Sequence, residues 1–341
     1  MARRTLGSRL LLALLGLFVV LVLLTAAAAA AAWSWVDRPL PLGGSSAELS
    51  IEAGSTPREV AQAWVDAGVQ TQPRFLYEWF RWSGQARRIR AGSYEIDAGT
   101  TPRGLLAKLV QGDETMERVR FIEGWTVRQL RAALAQAPHL KQQTAGMSDA
   151  QLMAALGAPG QPAEGRFFPD TYVYSRGVSD LTVLRRAHKA LQERLDAVWA
   201  EKPPDSPLKS PDEVLKLASI VEKETGLAAD RGLVAGVFVN RLRIGMPLQT
   251  DPTVIYGLGD KFDGNLRKRD LLTDTPFNTY TRGGLPPTPI ALPGMASLRA
   301  VVRPQPTKAL YFVARGDGSS VFSDNLADHN RAVNKYQRGG S

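Results

Sequence analysis

Two glutamates, Glu222 and Glu224, stand near the end of a half-apolar run, and a segment dense in polar side chains follows them: Asn240, Arg241, Gln249, Thr250, Asp251 and Tyr256. A carboxyl group held against an apolar face favours its protonated form, and a protonated carboxyl is a general acid. These residue types in this order point to acid–base chemistry, and so to an enzyme.

The elements that must position them are legible nearby. Ser210 suits an N-cap, Pro211 the first helical position and Glu213 the partner in a capping box. The spacing predicts a helix from there to about Thr225, stopped by Gly226. Val214, Leu217, Ala218, Val221 and Thr225 make its inward stripe. At about 100° per residue, Glu222 and Glu224 fall on opposite shoulders of that stripe and Lys223 points away. Either glutamate can face a cleft; both sharing one is disfavoured. Downstream, QTDPTVIYG (249–257), FNTY (277–280) and GLPPTPIALPG (284–294) read as stiff loops that could present Gln249, Thr250, Asp251, Tyr256, Asn278 and Tyr280. Structural duties compete with these roles. Asn240 and Arg241 could brace their own helix, Asp251-Pro252 could be a simple turn, and Tyr256 could be core.

Composition removes several classes. The chain of 341 residues is long enough for one large or two modest domains, and its 44% apolar content is that of a globular protein. It has no cysteine, which excludes disulfides, thiolate catalysis and Cys-built zinc sites. His139, His188 and His329 are scattered, so neither a metal nor another cofactor is expected. The net charge of +9 comes from basic residues spread along the chain, without the Lys/Arg stripe of a nucleic-acid binder.

The N-terminus sets the compartment. Residues 10–32 form an uncharged run broken only by Gly16 and Thr25. At about 1.5 Å per residue it reaches about 34 Å, enough for a hydrocarbon core of about 30 Å. Arg3, Arg4 and Arg9 before it place the N-terminus in the cytoplasm, and Trp33 and Trp35 after it suit an interfacial anchor. The alanine tract 26–32 offers cleavage sites for a signal peptide, but the run exceeds a usual signal core, so a single-pass anchor (1–36) is expected. The Pro/Gly-containing segment 37–47 then reads as a tether.

An internal echo follows. IEAGSTPR (51–58) recurs as IDAGTTPR (96–103) and, shortened, as IEGWTVR (122–128). Each reads as a strand end, a Gly turn, a Thr N-cap and an amphipathic helix, over 58–67, 103–111 and 128–136. Such strand–helix units resemble LysM-type modules, which bind N-acetylated glycans; a small spacer is the structural alternative. The aromatic group Phe75, Tyr77, Trp79, Phe80 and Trp82 could stack on sugars, but its helical spacing reads more as core. The expected architecture is α+β: a transmembrane helix, a LysM-like subdomain (48–116) and a mixed α+β catalytic domain (117–338).

The runs LASIVEKETG, FVNRLRIGMPLQTDPTVIYG, FNTY, GLPPTPIALPG, LYFVARGDG and LADHN, in this order and spacing, resemble the endolytic murein transglycosylase (MltG, YceG-like) family over roughly residues 117–337. Many members carry a His before the aromatic of a late loop. Here that segment is Gly318-Ser319-Ser320-Val321-Phe322, without one. The resemblance implies Glu224 as the catalytic acid/base. It also implies non-hydrolytic cleavage of the β-1,4 bond between N-acetylmuramic acid and N-acetylglucosamine, leaving 1,6-anhydro ends. Its implied partners are peptidoglycan strands and membrane-bound peptidoglycan synthases, with the catalytic domain in the periplasm and a role in terminating nascent strands. The rivals are a non-catalytic peptidoglycan-binding scaffold and a hydrolase with Asp170 or Asp251 as its second carboxylate.

Overall fold

The computed structural model describes residues 6–339 apart from Thr225 and Gly226, with side chains from position 14. Arg3, Arg4, the side chain of Arg9, and the expected helix stop at Thr225 and Gly226 lie outside the described residues. Chain contacts divide the protein into two units. One is Met1–Glu117 with Ser175–Gly177; the other is Arg118–Tyr174 with Val178–Ser341. Both mix helices with two-stranded sheets, so the α+β class is observed.

In the first unit, helix α1 (Leu6–Val36) contains a 23-residue stretch, Leu14–Val36, of mean hydropathy 2.7, long and apolar enough to cross a membrane. Strand β1 (Ser46–Ile51), helices α2 (Pro57–Asp66) and α3 (Pro73–Trp82), strand β2 (Gly92–Asp97) and helix α4 (Pro102–Gln111) follow. β1 and β2 pair antiparallel, from Ser46 opposite Asp97 to Ile51 opposite Gly92. Their inner residues close with Trp64, Leu76, Phe80, Leu105 and Leu109 over one core.

The echoed motif does what its residues dictate. Thr56 caps α2 with Glu59 reciprocating, Thr101 caps α4, and Thr126 caps α5 (Val127–Gln136) with Gln129 reciprocating. The turn before each cap uses a glycine with left-handed backbone: Gly54 at φ 93°, Gly99 at 102° and Gly124 at 78°. The third copy lies in the second unit.

Residues 37–47 are not the loose tether that their prolines and glycines suggest. Leu40 N–H donates to Thr100 O at 2.8 Å, Gly43 N–H to Gly68 O at 2.9 Å, and Gln70 N–H to Pro41 O at 2.8 Å, with Leu40 buried. Backbone groups paired in this way hold a segment down whatever its composition. In the aromatic group Phe80 is core and Tyr77 and Trp79 pack against it, as the helical spacing indicates, whereas Phe75 and Trp82 depart from that expectation and are exposed.

The second unit holds most of β3 (Met116–Arg120) and of β4 (Thr171–Ser175), which pair with each other, then α5, α6 (Asp149–Ala155) and α7 (Asp180–Ala200). Next come α8 (Pro211–Glu224), α9 (Ala228–Arg243), α10 (Asp251–Leu258), α11 (Lys268–Leu272) and α12 (Met295–Val302). The hairpin β5 (Tyr311–Ala314) and β6 (Ser320–Ser323) and helix α13 (Leu326–Gln337) complete it. α8 is the central element. Val214, Leu215, Leu217, Ala218, Ser219, Ile220 and Val221 are all buried, because α7, α9, α10 and α12 pack around it. Its neighbours supply Leu191, Leu195, Val234, Phe238, Leu298 and Val301 to the shared core. A helix surrounded in this way keeps little of its surface wet, with Lys223 exposed as expected, so its buried apolar residues exceed the single stripe read from sequence. Its start follows expectation with one shift. Ser210 Oγ accepts the Glu213 N–H at 3.2 Å, but Glu213 reaches back to the Lys209 N–H, at 2.6 Å.

Candidate active site

α8 delivers Glu222 and Glu224 to different neighbours. Glu222 Oε2 accepts the Gly294 N–H at 2.9 Å, and three residues earlier Ser219 Oγ accepts the Ile290 N–H at 3.0 Å. These two side chains lace the Pro-rich loop 284–294 to α8. The same loop is held on its other side by Leu292, which exchanges backbone hydrogen bonds with Gly124 and Trp125. Glu123 also packs against Gly294, where a Cβ would overlap its Oε1. Burial and the neighbouring Glu222 raise the Glu123 carboxyl above its ordinary value, partly offset by Arg231. Glu222 therefore fastens a loop.

Glu224, on the other shoulder, accepts the Thr250 hydroxyl. Burial is the main cause that pushes its carboxyl up from 4.5 to about 7; Thr250 opposes the rise, Asp251 adds to it and Arg241 opposes it. At neutral pH such a group can both hold and release a proton, which is what an acid that later acts as a base requires.

Thr250 is fixed from behind. Its N–H donates to Thr279 Oγ1 at 3.1 Å, and the Gln249 N–H donates to Thr279 O at 3.1 Å. Gln249 itself sits at φ 47°, a left-handed conformation that a non-glycine side chain seldom adopts. Strain of this kind persists only where surrounding contacts impose it, and here the strained residue directly precedes Thr250, which donates to Glu224. Asp251 opens α10, and its Oδ1 accepts the Tyr280 hydroxyl at 2.6 Å. Glu224, Gln249, Thr250, Asp251 and Tyr280 are thus gathered into one neighbourhood.

The other sequence candidates frame it. Asn278 is fully buried, and its Nδ2 donates to the carbonyls of Asp270, Leu271 and Thr273 while its Oδ1 accepts the Tyr280 N–H at 2.8 Å. It shapes the loop that carries Tyr280. Asn240 donates to Thr307 O at 2.9 Å and Ala309 O at 3.1 Å, bracing α9 against the segment before β5. Arg241 is buried, donates to Leu310 O, Pro247 O and Leu248 O, and lies over the Tyr311 ring. Burial lowers its pKa, and Tyr311, Tyr280 and Glu224 oppose that. Its cation is therefore felt at Glu224 while its hydrogen bonds serve the fold. Asp170 accepts the Thr171 N–H at 2.7 Å at the start of β4.

Tyr256 faces elsewhere and exposes a residue that sequence reasoning missed. Its hydroxyl donates to Glu164 Oε2 at 3.1 Å. Glu164 is buried, and its carboxyl also accepts the Val127 N–H at 3.1 Å, at the start of α5. Burial raises it from 4.5 to about 7 against the hydrogen bonds that hold it. Glu164 lines a cavity of about 890 Å³ together with Arg128, Arg131, Lys223, Ile255 and Tyr256. Lys223 and Pro252 on its wall are the chain neighbours of Glu224 and Asp251, but neither of those acids is among the residues that line it. Among the described residues no group of three or more His, Asp or Glu side chains is disposed to hold a metal ion.

A profile of the YceG-like family matches residues 49–335. An endolytic murein transglycosylase of Bacillus subtilis is 31% identical over 310 residues, covering 86% of this chain and 85% of the relative. An endolytic murein transglycosylase of Streptococcus pneumoniae is 26% identical over 341 residues, covering 88% of this chain and 61% of the relative. Among solved structures, a 2.6 Å crystal structure of a putative YceG-like protein from Listeria monocytogenes superposes with a TM-score of 0.53 at 27% identity, covering 84% of this chain and 98% of the other. The match spans both the capped-helix module and the segments around Glu224: the chain belongs to the YceG-like family.

Proposed function

We propose that the protein is an endolytic murein transglycosylase that uses Glu224 as its single acid/base. The observation that carries the reading is the Glu224 carboxyl. It is raised to about 7 at the end of a buried helix, and the neutral donor Thr250 is directed at it.

Glu224 in its protonated form gives its proton to the glycosidic oxygen as the bond from C1 of N-acetylmuramic acid breaks. The sugar's own C6 hydroxyl closes on C1 and returns its proton to Glu224. The products are a free N-acetylglucosamine 4-hydroxyl and a 1,6-anhydro end, and no water is consumed. An attacking group already tethered to the ring spares the entropy of capturing a separate nucleophile. Asp251 and Tyr280, hydrogen-bonded to each other at 2.6 Å, lie beside Thr250, and a carboxylate there would offset the positive charge that develops on the ring. The cavity beside Glu164 and Tyr256 has the volume of a small-molecule site and suits flanking sugars or peptide.

One observation favours a second reading. Asp251 is close enough to Glu224 to raise its pKa, so two carboxylates are available, as in a glycoside hydrolase. Product mass separates the two. Purified glycan strands cut by the protein should carry 1,6-anhydro termini, lighter by one water than the reducing termini of hydrolysis. Internal fragments of many lengths early in the reaction support endolytic cleavage, whereas release of only disaccharides contradicts it.

The apolar α1 serves in this reading as a single-pass anchor with the rest of the chain on the periplasmic side, acting on nascent strands beside the membrane-bound synthases. A mature N-terminus within residues 26–33 would contradict the anchor and leave export standing.

A further inference from the structure

α1 does not end in a free linker. Val36 and Leu40 are buried, Arg103 pairs with Asp37 at 2.7 Å, and the same guanidinium lies over Trp33 at 5.4 Å and over Trp79 at 5.5 Å. Trp35 meets the Phe75 ring edge-on at 6.0 Å. The last turn of α1 is therefore packed directly beside α3. Where α1 leaves a bilayer, α3 is at the same level.

The face that α3 leaves open fits that position. At about 100° per residue, Arg74, Phe75, Glu78, Arg81 and Trp82 fall within one arc of about 120°. Phe75 is 50% and Trp82 75% exposed, and the adjacent Trp33 is 65% exposed. Beyond α1, the exposed large apolar side chains among the described residues of this unit are Phe75, Trp82 and Met116, two of the three on this one helix. Glu78, the acid of the face, is already paired with Arg81 and accepts the Trp82 indole N–H. Arg74 remains on the face, and the exposed Arg87 and Arg88 follow on the turn after α3. Aromatic rings with an excess of arginine are the side chains that settle at the boundary of acyl chains and anionic headgroups.

The geometry points to the exposed face of α3 as a membrane-docking surface, seated with Phe75 and Trp82 in the headgroup region of the bilayer that α1 spans. The site is an interfacial one for anionic phospholipid, distinct from the glycan-cleaving centre, and it rests on the reading of α1 as an uncleaved anchor. Docking at this second point would hold the first unit against the membrane, where α1 alone would leave it free to pivot.

The chain has no cysteine, so single labels can be placed directly. Phe75→Cys and Trp82→Cys, each carrying a nitroxide, are reconstituted as full-length protein in vesicles of phosphatidylethanolamine and phosphatidylglycerol. Power saturation then compares accessibility to oxygen, which concentrates in lipid, with accessibility to a water-soluble nickel complex. Both labels should be several-fold more accessible to oxygen relative to nickel than free label in buffer, and Arg74→Glu with Arg81→Glu should reduce that ratio. Labels as open to nickel as free label would overturn the docking. Labels shielded from both reagents would overturn it too, indicating a protein partner. Sequencing the N-terminus of the same sample separates loss of the anchor from failure of the docking, and unchanged anhydro-product release reports that the variants are folded.

Discussion

Glu222 and Glu224, two positions apart on α8, hold different loops: Glu222 accepts the Gly294 N–H at 2.9 Å, and Glu224 accepts the Thr250 hydroxyl. The helix period carries one acid to the loop 284–294 and the other to the start of α10. This split lets a single carboxyl be tuned for chemistry without loosening the loop beside it.

In the proposed mechanism the Glu224 carboxyl must be protonated to start the reaction, and its pKa is raised to about 7. Glycan cleavage should therefore fall as pH rises through about 7, measured as kcat/KM for anhydro-product release. A rate that climbs steadily to pH 9 would be at odds with Glu224 as the acid.

Thr250 lowers the Glu224 pKa by hydrogen bonding. Thr250→Val keeps the side-chain shape and removes the donor, so the basic limb of the profile should move up by about one pH unit, the scale of one hydrogen bond to a charged group. Thr250→Ser should leave the limb in place. Equal profiles for all three proteins would mean that the contact is structural only.

Stability should carry the mark of Glu164. Its pKa is raised on folding from 4.5 to about 7, so the folded state holds this proton more tightly than the unfolded chain. The stabilisation is full below about pH 4.5, is lost as pH rises to about 7, and changes no further above that. The loss is at most about 3 kcal/mol by the size of the shift. Denaturant unfolding of the wild type across this range should show the decline, and Glu164→Gln should make it smaller, leaving the similar contribution of Glu224.

With no cysteine in the chain and no cluster of metal-ligating side chains among the described residues, cleavage should survive chelation. Loss of activity in EDTA that zinc or magnesium restores would contradict this.

What could be read from sequence was local. The caps at Thr56, Thr101 and Thr126 and the helix start at Ser210 depend on residues a few positions apart, and those elements formed where expected. The divergence of Glu222 from Glu224 is also local, since it follows from helix period. Glu164 was invisible because its partners Val127 and Tyr256 lie 37 and 92 positions away. Tyr256 looked equally like core or cleft wall; only its hydroxyl partner decides that it supports the neighbouring cavity. Residues 37–47 were misread because a Pro/Gly composition describes a chain without partners, and Gly68 and Thr100 supply partners from outside the segment.

The central claim is that Glu224 alone carries the proton. Glu224→Gln and Glu222→Gln should be compared for anhydro-product formation on purified glycan strands, at matched concentrations of folded protein. Glu224→Gln should lose at least about 10²-fold in turnover, the scale for a positioned acid, while still binding glycan. Glu222→Gln should be much milder, since Gln can still accept the Gly294 N–H. Near-normal turnover by Glu224→Gln together with an inactive, folded Glu222→Gln would contradict the account.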